Sequence, residues 1–332
     1  MMTFKSVAVG VALGLATFAS QAADFKPSVI FDMGGKFDKS FNQAAYNGAE
    51  AFKKDTGITY GEFEITNEAQ REQAMLRLAQ RGHNPIVAVG FQQAPIVEKV
   101  AKQFPKTNFV IIDSVVDLPN VRSVVFKEHE GSFLVGALAA MKSESKTVGF
   151  IGGMDIPLIR KFACGYEQGA KYINKDTKVV QNMTGSTPAA WNNPTKGAEL
   201  AKSQFDQGVD VVYAAAGGTG VGVYQAAADE KKYAIGVDSN QNHLHPGVML
   251  TSMVKRVDVA VKDAFMDAYA GKFTSGMQSL GLKEEGVAWA LDEYNSSLIT
   301  AEMAGKVEQI RDDIISGKVV VHDYFSNSAC TY

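Results

Sequence analysis

Short, continuously apolar runs alternate with stretches of helical spacing along most of this chain, and that alternation leaves few architectures open. Ser28-Val29-Ile30-Phe31, Ile86-Val87-Ala88-Val89, Phe109-Val110-Ile111-Ile112, Val148-Gly149-Phe150-Ile151, Val211-Val212-Tyr213-Ala214 and Ala234-Ile235-Gly236-Val237 each read as a strand. A strand that is apolar at every position is covered on both faces, as in a parallel sheet. The intervening segments are long enough for helices. Ser40 and Gln43 form a capping-box pattern opening a helix to about Lys54, and Asn67 with Gln70 repeats it before a helix ending at Gly82. Repeated βα units joined by right-handed crossovers predict doubly wound α/β sheets.

A chain of 332 residues exceeds one ordinary core. The alternation falls into two blocks, residues 24–126 and 127–238, with no Pro/Gly/Ser-rich linker between them. Two further helical segments, 257–270 and 301–316, suit a chain that returns to the first lobe and then to the second. The expected organisation is two parallel-sheet lobes joined by three hinge crossings near 126, 240 and 277. Lobe 1 would hold 23–126 plus 240–277, and lobe 2 would hold 127–239 plus 278–332.

Residues 1–22 read as a secretory leader: Lys5 is a basic n-region, residues 7–18 are apolar, and Ser20-Gln21-Ala22 fits a cleavage site. The mature protein is expected in the periplasm, not embedded in the membrane and without a lipid anchor at the cut, because no cysteine lies there. Hydrophobic residues make up 46% and charged residues 21% of the chain, and the net charge of -3 points away from nucleic acid. Of the two cysteines, Cys164 and Cys330, an oxidising compartment allows a disulfide; the alternative is one buried thiol and one in the tail.

Ligands of open α/β sheets bind beyond the carboxyl ends of the strands. Asp32, Gly90-Phe91, Asp113, Gly152-Gly153, Gly217-Gly218 and Asp238 stand at such ends. One Asp there is ordinarily a cap or turn residue; three in equivalent places point to a site. Carboxylates accept from hydroxyls and ring N–H groups, glycines let backbone N–H groups approach, and Phe41, Phe91 and Trp191 can supply flat walls. Residues 217–222 resemble a dinucleotide loop, but their glycine spacing is wrong, and they read as a tight turn at a ligand-facing helix start. The five histidines lack metal-ligand spacing, neither cysteine has a convincing His partner, and no G-x-S-x-G or H-E-x-x-H motif occurs. No catalytic residue, metal or cofactor is expected.

Asp32-Met33-Gly34-Gly35-Lys36-Phe37-Asp38-Lys39-Ser40-Phe41-Asn42 resembles the D-x-G-G-x-x-D-x-S-F-N signature of the basic membrane protein family, the purine-nucleoside-receptor-like substrate-binding proteins of ABC transporters. Residues 126–136 resemble that family's hinge segment, and Ala216-Gly217-Gly218-Thr219-Gly220, Gly236-Val237-Asp238 and Ser252-Met253-Val254-Lys255 also match. The resemblance implies a type I periplasmic binding fold that holds a nucleoside between its lobes. Phe41 would stack on the base, and Asp113 would accept from its ring N–H groups. Asp238 and Lys255 would hold the ribose, with backbone help near Gly217 and Gly218. Asp32 and Asn42 would line the first lobe's side, and Trp191 would stack from the second. The expected function is solute capture for an ABC permease, without catalysis. The alternatives are a free base or sugar-like ligand, a sensor for a membrane receptor, and a periplasmic nucleoside hydrolase.

Overall fold

A computed structural model describes residues 25–330; the expected leader, 1–22, lies outside the described residues. The strands are β1 (Ser28–Phe31), β2 (Gly61–Glu64), β3 (Ile86–Ala88), β4 (Phe109–Ile112), β5 (Val121–Phe126), β6 (Thr147–Met154), β7 (Lys178–Gly185), β8 (Val211–Ala215), β9 (Tyr233–Asp238), β10 (Met249–Lys255), β11 (Gly276–Leu280) and β12 (Val287–Trp289). The helices are α1 (Phe41–Thr56), α2 (Gln70–Gln80), α3 (Ala94–Gln103), α4 (Glu128–Lys142), α5 (Pro157–Ile173), α6 (Pro194–Asp206), α7 (Gly220–Asp229), α8 (Val257–Tyr269) and α9 (Ala301–Ile315).

Two six-stranded sheets result, ordered β11-β5-β4-β3-β1-β2 and β12-β10-β9-β8-β6-β7. All neighbours pair parallel except the edge strand β12, which runs antiparallel to β10. Both strand orders reverse beside the first strand of the lobe, between β1 and β3 and between β6 and β8. The crevice for a ligand opens at such reversals.

The apolar runs form central strands because both their faces are covered. Val29 and Phe31 pack with Ala45 and Phe52 of α1, whereas Ile30 between them packs with Met75 of α2 and Val97 of α3. Each fully buried side chain of this size contributes about 1.5–3 kcal/mol relative to exposure.

The chain crosses from the first sheet to the second between β5 and α4. The expected return near 240 falls instead at Arg256, because β10 extends the second sheet to Lys255. The next element, α8, packs against α1 of the first lobe, and β11 joins the first sheet. The last crossing, expected near 277, lies between Leu280 and Val287. Residues 240–255 therefore belong with the second lobe. On that lobe α4 and α5 pack closely: a Cβ on Gly165 would stand 2.4 Å from the His129 carbonyl oxygen, so only glycine permits this approach. Cys164, beside it, is disulfide-bonded to Cys330 with a Cα–Cα distance of 5.4 Å, which ties the C-terminal segment to α5.

Candidate ligand-binding cleft

One cavity lies between the lobes at the carboxyl ends of β1, β3, β4, β6, β8, β9 and β10. Asp32, Phe41, Asn42, Phe91, Asp113, Trp191, Gly217, Asp238 and Lys255 all line it. Gly218 is buried beside it, where a Cβ would lie 3.3 Å from the Trp191 carbonyl oxygen. Asp38, Leu158, Ile159, Phe162 and Val237 also line the cavity, without having been singled out from sequence.

The first-lobe wall is built around Asp32 and Asp38. The Asp32 carboxylate accepts from its neighbour Met33 N–H at 2.8 Å and from Arg71 Nη2 at 3.0 Å. Its own N–H donates to Asn42 Oδ1 at 2.9 Å. Asp38, rather than the expected Ser40, supplies the cap of α1. Its carboxylate accepts from the N–H groups of Ser40, Asn42 and Gln43 at 2.8–3.1 Å. That leaves the Ser40 hydroxyl free to reach the other lobe, where it donates to the Asp238 carboxylate. A capping box satisfies a helix end locally; here a second carboxylate does so, and the serine serves the interface. The sequence signal that could have found Asp38 is its place in the D-x-G-G-x-x-D-x-S-F-N run.

The second-lobe wall carries Trp191 at the end of a short 3-10 turn, Pro188–Trp191. Thr219 fixes that turn: its hydroxyl donates to the Ala190 carbonyl at 2.7 Å and accepts from Asn193 N–H at 2.7 Å. The indole lies against Gly153, where a Cβ would come within 2.0 Å of the ring. The glycine near the carboxyl end of β6 is thus a seat for the tryptophan.

Asp113 and Asp238 end β4 and β9, one in each lobe, and both have left-handed backbones, with φ of 69° and 64°. Few L residues adopt that conformation, and Asp is among those that tolerate it. Lys255, at the end of β10, donates to Asp113 Oδ2 at 2.7 Å and lies 3.0 Å from Glu128 Oε1. The Phe41 ring centroid is 5.1 Å from the same ammonium. Asp113 Oδ1 is buried and has no hydrogen-bond partner among the described residues. Ser239 Oγ donates to the Ser40 carbonyl and Gln241 Nε2 to the Lys39 carbonyl, each at 2.9 Å, so the lobes touch directly and the cleft is closed.

Burial sets the electrostatics. It pushes Asp113 up to about 6, although Lys255 pulls the other way, and it pushes Asp238 up to about 6 against Lys255 and Ser40. Asp32 and Asp38 are raised by burial too. Burial would lower Lys255, but Asp113, Glu128 and Asp238 outweigh it and hold the ammonium above its ordinary range. Among the described residues no group of three or more His, Cys, Asp or Glu could hold a metal ion. No described helix is long and apolar enough to cross a membrane.

Comparison with known proteins agrees with this geometry. Residues 26–323 match the family of PnrA-like ABC transporter substrate-binding proteins. The chain is 34% identical to the ABC transporter nucleoside-binding protein BmpA of Lactococcus lactis, over 90% of this chain and 89% of that one. It is 32% identical to a CD4+ T-cell-stimulating antigen of Listeria monocytogenes, over 95% of each. A crystal structure of an ABC transporter solute-binding protein from Aeropyrum pernix superposes with a TM-score of 0.83 at 30% identity, covering 90% of this chain and 94% of the other. The type I binding fold, the cleft at the strand ends and these matches together place the chain in the PnrA-like family of ABC transporter substrate-binding proteins.

Proposed function

We propose that the cleft captures a purine nucleoside outside the cytoplasm and presents it, in the closed form, to an ABC permease. The observation that carries this reading is Asp113 Oδ1, a buried acceptor with no partner among the described residues, on the wall of an aromatic-lined cavity. A buried carboxylate oxygen calls for a donor, and the ring N–H of inosine or guanosine is one. Phe41 from the first lobe and Trp191 from the second supply faces for the base. Asp238, with the Lys255 ammonium, faces the ribose hydroxyls. An ammonium has three N–H bonds; Asp113 accepts one of them, and Glu128 Oε1 stands 3.0 Å away as a counter-charge.

The charge balance separates a nucleoside from a nucleotide. Among the described residues lining the cavity, four carboxyl groups, Asp32, Asp38, Asp113 and Asp238, face one cation, Lys255. A phosphate there would meet net negative charge in a poorly solvated site. The likeness to a nucleoside-binding relative supports the same ligand class.

On this reading the protein does no chemistry on its ligand. Mass spectrometry of small molecules released by denaturing the purified protein tests both points. A purine nucleoside should be recovered intact, and added inosine should remain unchanged after long incubation. Recovery of a phosphorylated compound or a sugar, or of free base after incubation with inosine, would overturn the reading.

A further inference from the structure

Lys255 is held from behind as well as from across the cleft. Glu128, the first residue of α4, is fully buried and has a cation on each side. Its Oε1 lies 3.0 Å from Lys255 Nζ and its Oε2 lies 3.0 Å from Lys161 Nζ. Lys161, on α5, also donates to the carbonyl of Phe126 at 2.7 Å, at the first crossing, and stands 3.8 Å from Asp323 Oδ2. Lys255, Glu128 and Lys161 all belong to the second lobe. Asp113 comes from the first lobe, so lobe opening separates it from the other three.

A buried ammonium left without a counter-charge loses its proton or moves to water. A lysine side chain is also flexible, and orienting one costs conformational entropy. We propose that Glu128 is a positioning residue for ligand binding, which keeps Lys255 charged and oriented on the second lobe in the open form, so that Asp113 and the ligand close onto a cation already in place. Preorganisation of this kind strengthens binding by lowering the cost of ordering on closure. The proposal rests on the cleft being the ligand site. The other groups around this pair are Asp113 and Asp238 near Lys255, and Lys161 and His129 near Glu128, with Asp323 beyond them at 3.8 Å from both Lys161 and His129.

The test is competitive acetylation of the ligand-free protein, read lysine by lysine by mass spectrometry, in wild type, Glu128→Gln and Glu128→Asp. Removing the carboxylate raises the neutral fraction of Lys255, and a tenfold rise in labelling corresponds to about one unit of its acidity. Lys255 and Lys161 should label roughly tenfold faster in Glu128→Gln, the other lysines should not change, and Glu128→Asp should fall between. Inosine affinity should weaken by roughly tenfold in Glu128→Gln, as expected for losing one charged partner. Unchanged Lys255 labelling, or an equal rise at every buried lysine, would overturn the proposal. Should the Gln variant fail to fold, the rise in Glu128→Asp decides it alone. If the wild type binds no nucleoside, the ligand reading fails, and the labelling still decides the role of Glu128.

Discussion

The ammonium of Lys255 and the carboxylate of Asp113 meet at 2.7 Å from opposite lobes, and both side chains are almost wholly shielded from water. On the proposed reading, the pair makes ligand capture and closure one event: the second Asp113 oxygen would accept from the ligand, and the lysine that steadies the first oxygen arrives only when the lobes come together.

Asp113→Asn should therefore reduce guanosine and inosine affinity more than adenosine affinity. An amide can donate to the ring lone pair of adenosine, whereas a carboxylate cannot. Losing a charged hydrogen-bond partner typically costs about 1.5–3 kcal/mol. Calorimetric titration of both proteins with all three nucleosides checks this; an identical ranking in the two would remove Asp113 from the base.

Acid should weaken binding and change preference. Burial in the closed cleft disfavours the charge of Asp113 and Asp238 and pushes both up to about 6. A donor on the ligand binds the ionised form. Guanosine affinity should thus be flat above that value and fall as pH drops below it, while adenosine loses less, since protonated Asp113 can donate to it. The guanosine-to-adenosine affinity ratio, measured between neutral and mildly acid pH, should decrease. A constant ratio would contradict the assignment.

Ser40 and Asp38 should separate closure from helix stability. Ser40→Ala removes the hydroxyl that reaches Asp238 across the cleft and should weaken ligand binding by about 0.5–1.5 kcal/mol with little change in melting temperature. Asp38→Ala removes the acceptor of three N–H groups at the start of α1 and should destabilise the fold by about 0.5–2 kcal/mol. Thermal denaturation and titration of both variants distinguish them. Equal melting losses would mean that Ser40 is an ordinary cap.

Cys330→Ser should lower stability by about 2–4 kcal/mol by freeing the C-terminal segment from α5. Denaturant titration with and without reductant checks it. Wild type under reductant should match the variant, and a variant as stable as oxidised wild type would show that the bridge contributes nothing.

The central strands were legible because burial on both faces leaves an unbroken apolar run, as in Phe109–Ile112. β10 was not, because Thr251 and Ser252 are polar yet fully buried. Thr251 donates to the Ala290 carbonyl and Ser252 to Asn242 Oδ1, partners that exist only in the folded chain. Missing that strand placed the second crossing at 240. The site divides in the same way. Carboxylates at strand ends follow from local sequence, so Asp32, Asp113 and Asp238 were readable. Glu128 and Lys161 sit behind Lys255, joined through α4 and α5, and no local spacing links them to it. Ser40 satisfied a local capping rule so well that its bond to Asp238 across the cleft left no signal at all.

Calorimetric titration of ligand-free wild-type protein with inosine, guanosine, adenosine, a free purine base and a purine nucleotide tests the central claim most directly. The account predicts one site per chain, with inosine and guanosine above adenosine, the free base weaker because Asp238 and Lys255 lose the ribose, and the nucleotide excluded. Binding of the nucleotide or the free base in preference to every nucleoside, or no binding of any nucleoside, would contradict it.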